Sequence, residues 1–148
     1  MRRYPCTELE RVVFTQGDCW WLARLLHHRS GWPMFATGAS DEASLPTRER
    51  WWTHVVLLTP NGDYLDIEGC YGIDRLRATW GEPYPITDDD FPWIVDAAYV
   101  NLDIDGTRAF TPEIDDASAE HVADRLLAWV AAHARSDEAV SNGWPQAA

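Results

Sequence analysis

The chain is poor in cysteine, poor in basic residues and without a long apolar run, and each shortage removes a class of function. Three cysteines, Cys6, Cys19 and Cys70, are too few and too scattered for a disulfide framework, and no CxxC pair is present to hold a structural zinc. Each thiol is therefore either inert packing or reactive. Twelve basic residues stand against 24 acidic ones, a formal net charge of −12. Such a surface repels phosphate backbones, which argues against direct nucleic-acid binding and favours a cationic substrate or a basic partner. No apolar stretch approaches the roughly 20 residues that span a bilayer, and no basic segment followed by an apolar one opens the chain. The expectation is a soluble cytoplasmic protein whose partners include neither membrane nor nucleic acid.

What is present is ordinary in bulk and unusual in tryptophan. At 148 residues the chain reads as a single domain over 1–148, large enough for a proper core, with loose ends at about 1–8 and 136–148. Nine tryptophans are many. Trp fills cores, but some of Trp20, Trp21, Trp32, Trp51, Trp52, Trp80 and Trp93 can also line a pocket, offering apolar area and a donor.

From Asp18 or Cys19 to about Ser30 the apolar positions Trp21, Leu22, Leu25 and Leu26 recur at helical spacing, with Gly31 as a stop and Pro33 beyond it. Residues 9–16 are open between a short strand and a helical turn. Residues 32–37 predict a strand, 38–50 a surface loop able to overhang a site, and 51–58 and 64–68 the strongest strands. A short helix is expected near 73–79, a loop over 81–92, a strand over 93–102 and a hairpin-type turn at Asp105-Gly106. Residues 116–134 predict a helix with Ser118 as N-cap and Val122, Leu126, Leu127, Trp129 and Val130 on its apolar face. The fold class is thus α+β: a helix carrying Cys19 packed on a small antiparallel sheet, with a C-terminal helix.

Cys19 opens its helix after Gly17 and a possible Asp18 cap. A thiol there lies among unpaired amides at the positive end of the helix dipole, which favours thiolate. A histidine and a carboxylate come from the hairpin around Pro60-Asn61-Gly62. A three-residue loop, with Pro60 starting a type I turn and Gly62 left-handed, sets Thr59 opposite Asp63 and His54 opposite Glu68, and turns His54, Asp66 and Glu68 to one face. A two-residue Asn-Gly turn would instead point Asp66 away from His54. Pro before Asn-Gly favours the longer loop. The acid beside His54, Asp66 or its rival Glu68, would accept from one ring nitrogen and leave the other for the thiol. A metal reading from His27 or His28 with Asp88, Asp89 and Asp90 is weaker, because adjacent histidines on a helix diverge by about 100°. The site calls for neither metal nor cofactor.

At these residues the chain resembles the papain-like cysteine enzyme superfamily in its Cys, His, Asp order, with transglutaminase-like domains and arylamine N-acetyltransferases as the nearest echoes. His54-Val55-Val56-Leu57-Leu58 followed by Gly62-Asp63-Tyr64-Leu65-Asp66-Ile67-Glu68-Gly69 is similar to the acetyltransferase pattern of a His strand before an Asp strand; His54 lies 35 positions after Cys19 and Asp66 12 after His54. The resemblance implies a papain-like core with Cys19 as nucleophile, His54 as base and Asp66 as orienting acid. Gln16 resembles an oxyanion-hole Gln loosely; the amides of Cys19 and Trp20 are the better donors. Trp20, Trp21 or Trp52 would take the place of a site tryptophan. The expected function is a small hydrolase, deamidase or acyl or amine transferase acting on a small-molecule, peptide or protein amide or acyl group. The alternative is a non-catalytic acidic, Trp-rich domain that binds a basic peptide or protein.

Overall fold

The computed structural model describes residues 1–97 and 113–141, with side chains through residue 133. It is an α+β fold on one six-stranded antiparallel sheet. In chain order the elements are β1 (Arg2–Arg3), α1 (Glu8–Thr15), α2 (Cys19–Ser30), β2 (Met34–Gly38), β3 (His54–Leu58), β4 (Tyr64–Asp66), β5 (Gly69–Tyr71), α3 (Ile73–Thr79), β6 (Glu82–Ile86), a helical segment α4 over 91–97, and α5 (Asp116–Ser141). The sheet order is β1-β5-β4-β3-β2-β6.

Side-chain alternation divides the sheet into two faces. On one, Met34, Ala36, Val55, Leu57 and Leu65 meet Leu22, Ala23 and Leu26 of α2 and Val122, Leu126 and Val130 of α5. On the other, Val56, Tyr64 and Tyr71 pack with Leu76 of α3. Helix α2 lies on β3 and against α5, and α1 packs on α2. Among the described residues no helix is long and apolar enough to cross a membrane.

The hairpin register matters most for the site. Leu57 pairs with Leu65 and Leu58 with Tyr64, the three-residue arrangement, with Gly62 at φ 91° and the Thr59 amide donating to the Asp63 carbonyl at 2.8 Å. The glycine is needed because a side chain resists that left-handed backbone. Gly31 ends α2 in the same manner at φ 74°, its amide bonded to the His27 carbonyl.

Several local expectations give way. Residues 9–16, open between strand and helix by sequence, are helical because Thr7 and Glu10 form a reciprocal capping box. Arg2 and Arg3, expected as part of a loose end, pair with Cys70 and Gly69. Residues 82–86 form an edge strand rather than a loop. Pro83 and Pro85 are tolerated there because, among the described residues, β6 pairs only with β2, and an edge strand accepts residues without an amide donor. Residues 93–97 are helical, not extended: Thr87 and Asp90 form a second capping box and Asp88 to Asp90 suit the positive end of the helix that follows. The rest of that predicted strand, 98–102, and the Asp105-Gly106 turn lie outside the described residues. Helix α5 starts as expected at Asp116, but its first-turn acceptor is Asp115, whose carboxylate takes the Ser118 amide at 2.7 Å. The helix runs through Ser141, past the loose end expected from 136; residues 142–148 lie outside the described residues.

Candidate active site

Cys19 begins α2 immediately after a chain reversal in which Gly17 takes φ 118°. Asp18 occupies the cap position, but its side chain makes no capping bond; its carbonyl instead accepts from the Trp21 amide at 3.1 Å. A helix start presents backbone N–H groups that favour negative charge near them. The Cys19 residue is 4% exposed.

His54 is the first residue of β3, opposite Thr37 in the sheet. Its neighbour Thr53 is pinned twice, the Thr53 amide donating to the Thr37 carbonyl at 2.8 Å and the hydroxyl to the Trp80 carbonyl at 2.5 Å. Asp66 ends β4. The last paired rung between β3 and β4 is Leu57 with Leu65, so His54 and Asp66 lie where that ladder has ended. The first turn of α2 comes against this point: Cys19 and Asp66 line one packing defect with Val55, Leu65 and Ile67, and it has no room for a water molecule.

The three expected residues meet here. His54, with no exposed surface, donates from Nε2 to Asp66 Oδ2 at 2.8 Å. Nδ1 has no hydrogen-bond partner among the described residues, and Cys19 lies close enough to the ring to act on it. The carboxylate is itself fully engaged. Oδ2 also accepts from the Tyr71 hydroxyl at 2.5 Å, and Oδ1 from the Glu68 amide at 2.8 Å. Burial alone would drive the imidazole neutral. The neighbouring Cys19 sulfur, with the hydrogen bond and charge of Asp66, outweighs it, lifting the His54 pKa from 6.5 to about 10.

Trp80 completes the enclosure. Its ring stacks on the imidazole with centroids 4.0 Å apart and planes 17° from parallel, a geometry that screens the ring from water and attracts its cationic form. Trp80 is one of the seven candidate pocket tryptophans, and nothing local in the sequence singles it out. Tyr71 carries no sequence signal at all.

The side chains of the remaining candidates make other contacts. Gln16 is the exposed C-cap of α1, its backbone amide donating to the Val12 carbonyl. Glu68 contributes its backbone, not its carboxylate: the chain turns between Asp66 and Gly69, which pair with each other, so the side chain never comes opposite His54. Trp20 and Trp21 are partly buried against the main core, Trp21 edge-on to Phe14. Trp52 is core, its indole donating to the Ile94 carbonyl at 3.1 Å. The adjacent His27 and His28, expected to diverge, both turn Nε2 toward Asp88, at 3.8 and 2.9 Å, and Arg24 approaches the same carboxylate at 3.5 Å. This is a surface charge cluster; among the described residues no group of three or more ligating side chains forms a metal site. Burial pushes the Cys70 thiol up to about 12 and also raises Cys6.

Comparison with family models, with curated proteins and with solved structures finds no match for this chain.

Proposed function

We propose that this protein is a small cysteine-dependent enzyme acting on an amide or acyl group, with Cys19 as nucleophile, His54 as acid and base, and Asp66 as the orienting carboxylate. One observation carries the reading: a wholly buried histidine gives one nitrogen to a carboxylate at 2.8 Å, leaves the other without a hydrogen-bond partner among the described residues, and has the helix-start Cys19 beside it. The Cys19 sulfur attacks the carbonyl carbon, and the C–O π electrons move onto oxygen, where the opening amides of α2 hold the charge. Collapse of the intermediate breaks the bond to the leaving nitrogen or oxygen, which takes its proton from His54. Water then attacks the acyl-enzyme in hydrolysis or deamidation, and an amine in transfer; His54 takes the attacker's proton in either case, and the C–S bond breaks with its electron pair leaving on the Cys19 sulfur. Asp66 keeps the ring oriented throughout. The order of helix-start Cys, strand His and next-strand Asp on an antiparallel sheet supports a papain-like, transglutaminase-like core, and a cytoplasmic setting suits a free thiol nucleophile.

A second reading, an acidic binding domain for a basic partner, draws on the closure of the site. Cys19 is 4% exposed and no water-sized space adjoins it, so a substrate must displace something to enter.

Iodoacetamide labelling of Cys19 against pH, followed by peptide mass spectrometry, separates the two. The pH midpoint reports the thiolate however much burial slows the absolute rate. A midpoint well below the free-thiol value of about 8.5, moved upward by His54→Ala, is the expected result. A midpoint near the free-thiol value in both proteins sinks the enzyme reading and leaves the binder.

A further inference from the structure

We propose that Tyr71 is a positioning residue for this site: it holds the carboxylate oxygen that His54 uses and sets how strongly that oxygen retains the imidazole proton. The proposal rests on the Cys19–His54–Asp66 reading above.

The geometry is specific. Tyr71 stands on β5 across from Tyr64, and the chain between Asp66 and Gly69 reverses in two residues. The reversal brings the Tyr71 hydroxyl to Asp66 Oδ2 at 2.5 Å, the same atom that accepts from His54 at 2.8 Å, while the Glu68 amide holds Oδ1 at 2.8 Å. Both ends of the carboxylate are thus tied, and it cannot rotate away from His54 without breaking a bond. The phenol ring is wedged among Val56, Tyr64 and Leu76. Gly69 makes the turn possible: at φ +128° it lies so close to β1 that a Cβ would meet the Arg2 carbonyl oxygen at 1.9 Å. Burial, with the Asp66 charge acting the same way, pushes the phenol far above its ordinary range, so the group remains a donor.

A donor on Oδ2 stabilises the carboxylate and lowers its basicity toward any second donor. Tyr71 therefore moderates the pull of Asp66 on His54. The titratable groups facing this carboxylate are His54 on β3, Cys19 on α2, Cys70 and Tyr71 on β5, and Glu68 in the turn, which acts on Tyr71. Arg2 on β1 and Asp63 act on Cys70.

The test is the pH midpoint of the His54 imidazole, followed by nitrogen-15 NMR of histidine-labelled protein, in wild type, Tyr71→Phe and protein with 3-fluorotyrosine at position 71. Tyr71→Phe keeps the ring and removes the competing donor, so the midpoint should rise by about one pH unit. The fluorinated phenol is a stronger donor, and the midpoint should fall. The opposite signs exclude a packing effect, and the fluorinated protein decides the matter should Tyr71→Phe not fold. A midpoint unchanged in both variants, or lowered by Tyr71→Phe, overturns the role of Tyr71. Cys19 labelling of the wild type is run alongside: a midpoint that is acid-shifted and dependent on His54 keeps the enzyme reading whatever Tyr71 does, and its absence removes that reading by itself.

Discussion

Replacing Asp66 by Asn asks whether the buried carboxylate is essential as a charge or only as a shape. Three donors converge on its two oxygens: the His54 ring and the Tyr71 hydroxyl on Oδ2, and the Glu68 amide on Oδ1. An amide of the same size has one acceptor oxygen and one NH2. If that oxygen takes the Oδ2 side, the NH2 opposes the Glu68 amide and one bond is lost; the flipped rotamer loses two, so the first is adopted. A hydrogen bond to a charged group contributes about 1.5–3 kcal/mol and one between neutral groups about 1. Losing one charged bond and weakening two others costs about 4 kcal/mol, offset in part because a neutral amide is easier to bury than a carboxylate. The net expectation is a loss of about 2–4 kcal/mol, or about 5–15 °C in melting temperature for a domain of this size. Urea unfolding followed by tryptophan fluorescence measures it. Labelling of Cys19 at neutral pH should slow in the same variant, because His54 loses the partner that orients it. A stability change under about 0.5 kcal/mol with unchanged labelling would refute the reasoning that this carboxylate organises the site.

Two further outcomes follow from the same structure. The His54 pKa is raised in the folded protein, so its contribution to stability is fully present below its unfolded pKa of about 6.5 and is lost as pH rises through about 10. Urea unfolding should therefore show stability falling across that window by a few kcal/mol, about 1.4 kcal/mol for every tenfold by which folding tightens proton binding at the ring. The fall should be smaller in Cys19→Ser; a profile flat across the window would show that His54 is not held as a cation. Gly69→Ala should cost about 2–3 kcal/mol and release β1, since the new methyl would strike the Arg2 carbonyl from a backbone at φ +128°. Hydrogen exchange at the Tyr4 amide, now bonded to the Glu68 carbonyl at 2.9 Å, is the direct readout, and retained protection there would contradict the close approach.

Much of the frame is legible where local chemistry is strong. Gly31 stops α2, Pro60-Asn61-Gly62 specifies the hairpin register, and Ile73–Thr79 forms a helix where its pattern predicts one. The misread segments have local rivals. Pro83 and Pro85 are turn residues by composition, yet an edge strand accepts them because one side of it needs no donors. Trp93 to Ala97 has the apolar look of a strand, but the Thr87–Asp90 capping box upstream leads it into a helix.

By itself, then, the sequence determined the elements that carry the candidate site: a cysteine at a helix start, a histidine on a strand, and an acid brought to the histidine's side of the sheet by the turn between them. Those follow from periodicity and turn geometry, which act over a few residues. Only the tertiary structure decided that Asp66 and not Glu68 meets His54, because β4 turns back into β5 before Glu68 can come opposite. It alone brought Trp80 over the imidazole and Tyr71 onto the carboxylate, contacts made across separate strands and helices. It alone buried the site, and burial gives the hydrogen bonds and charges within it their strength, since little water remains to screen them.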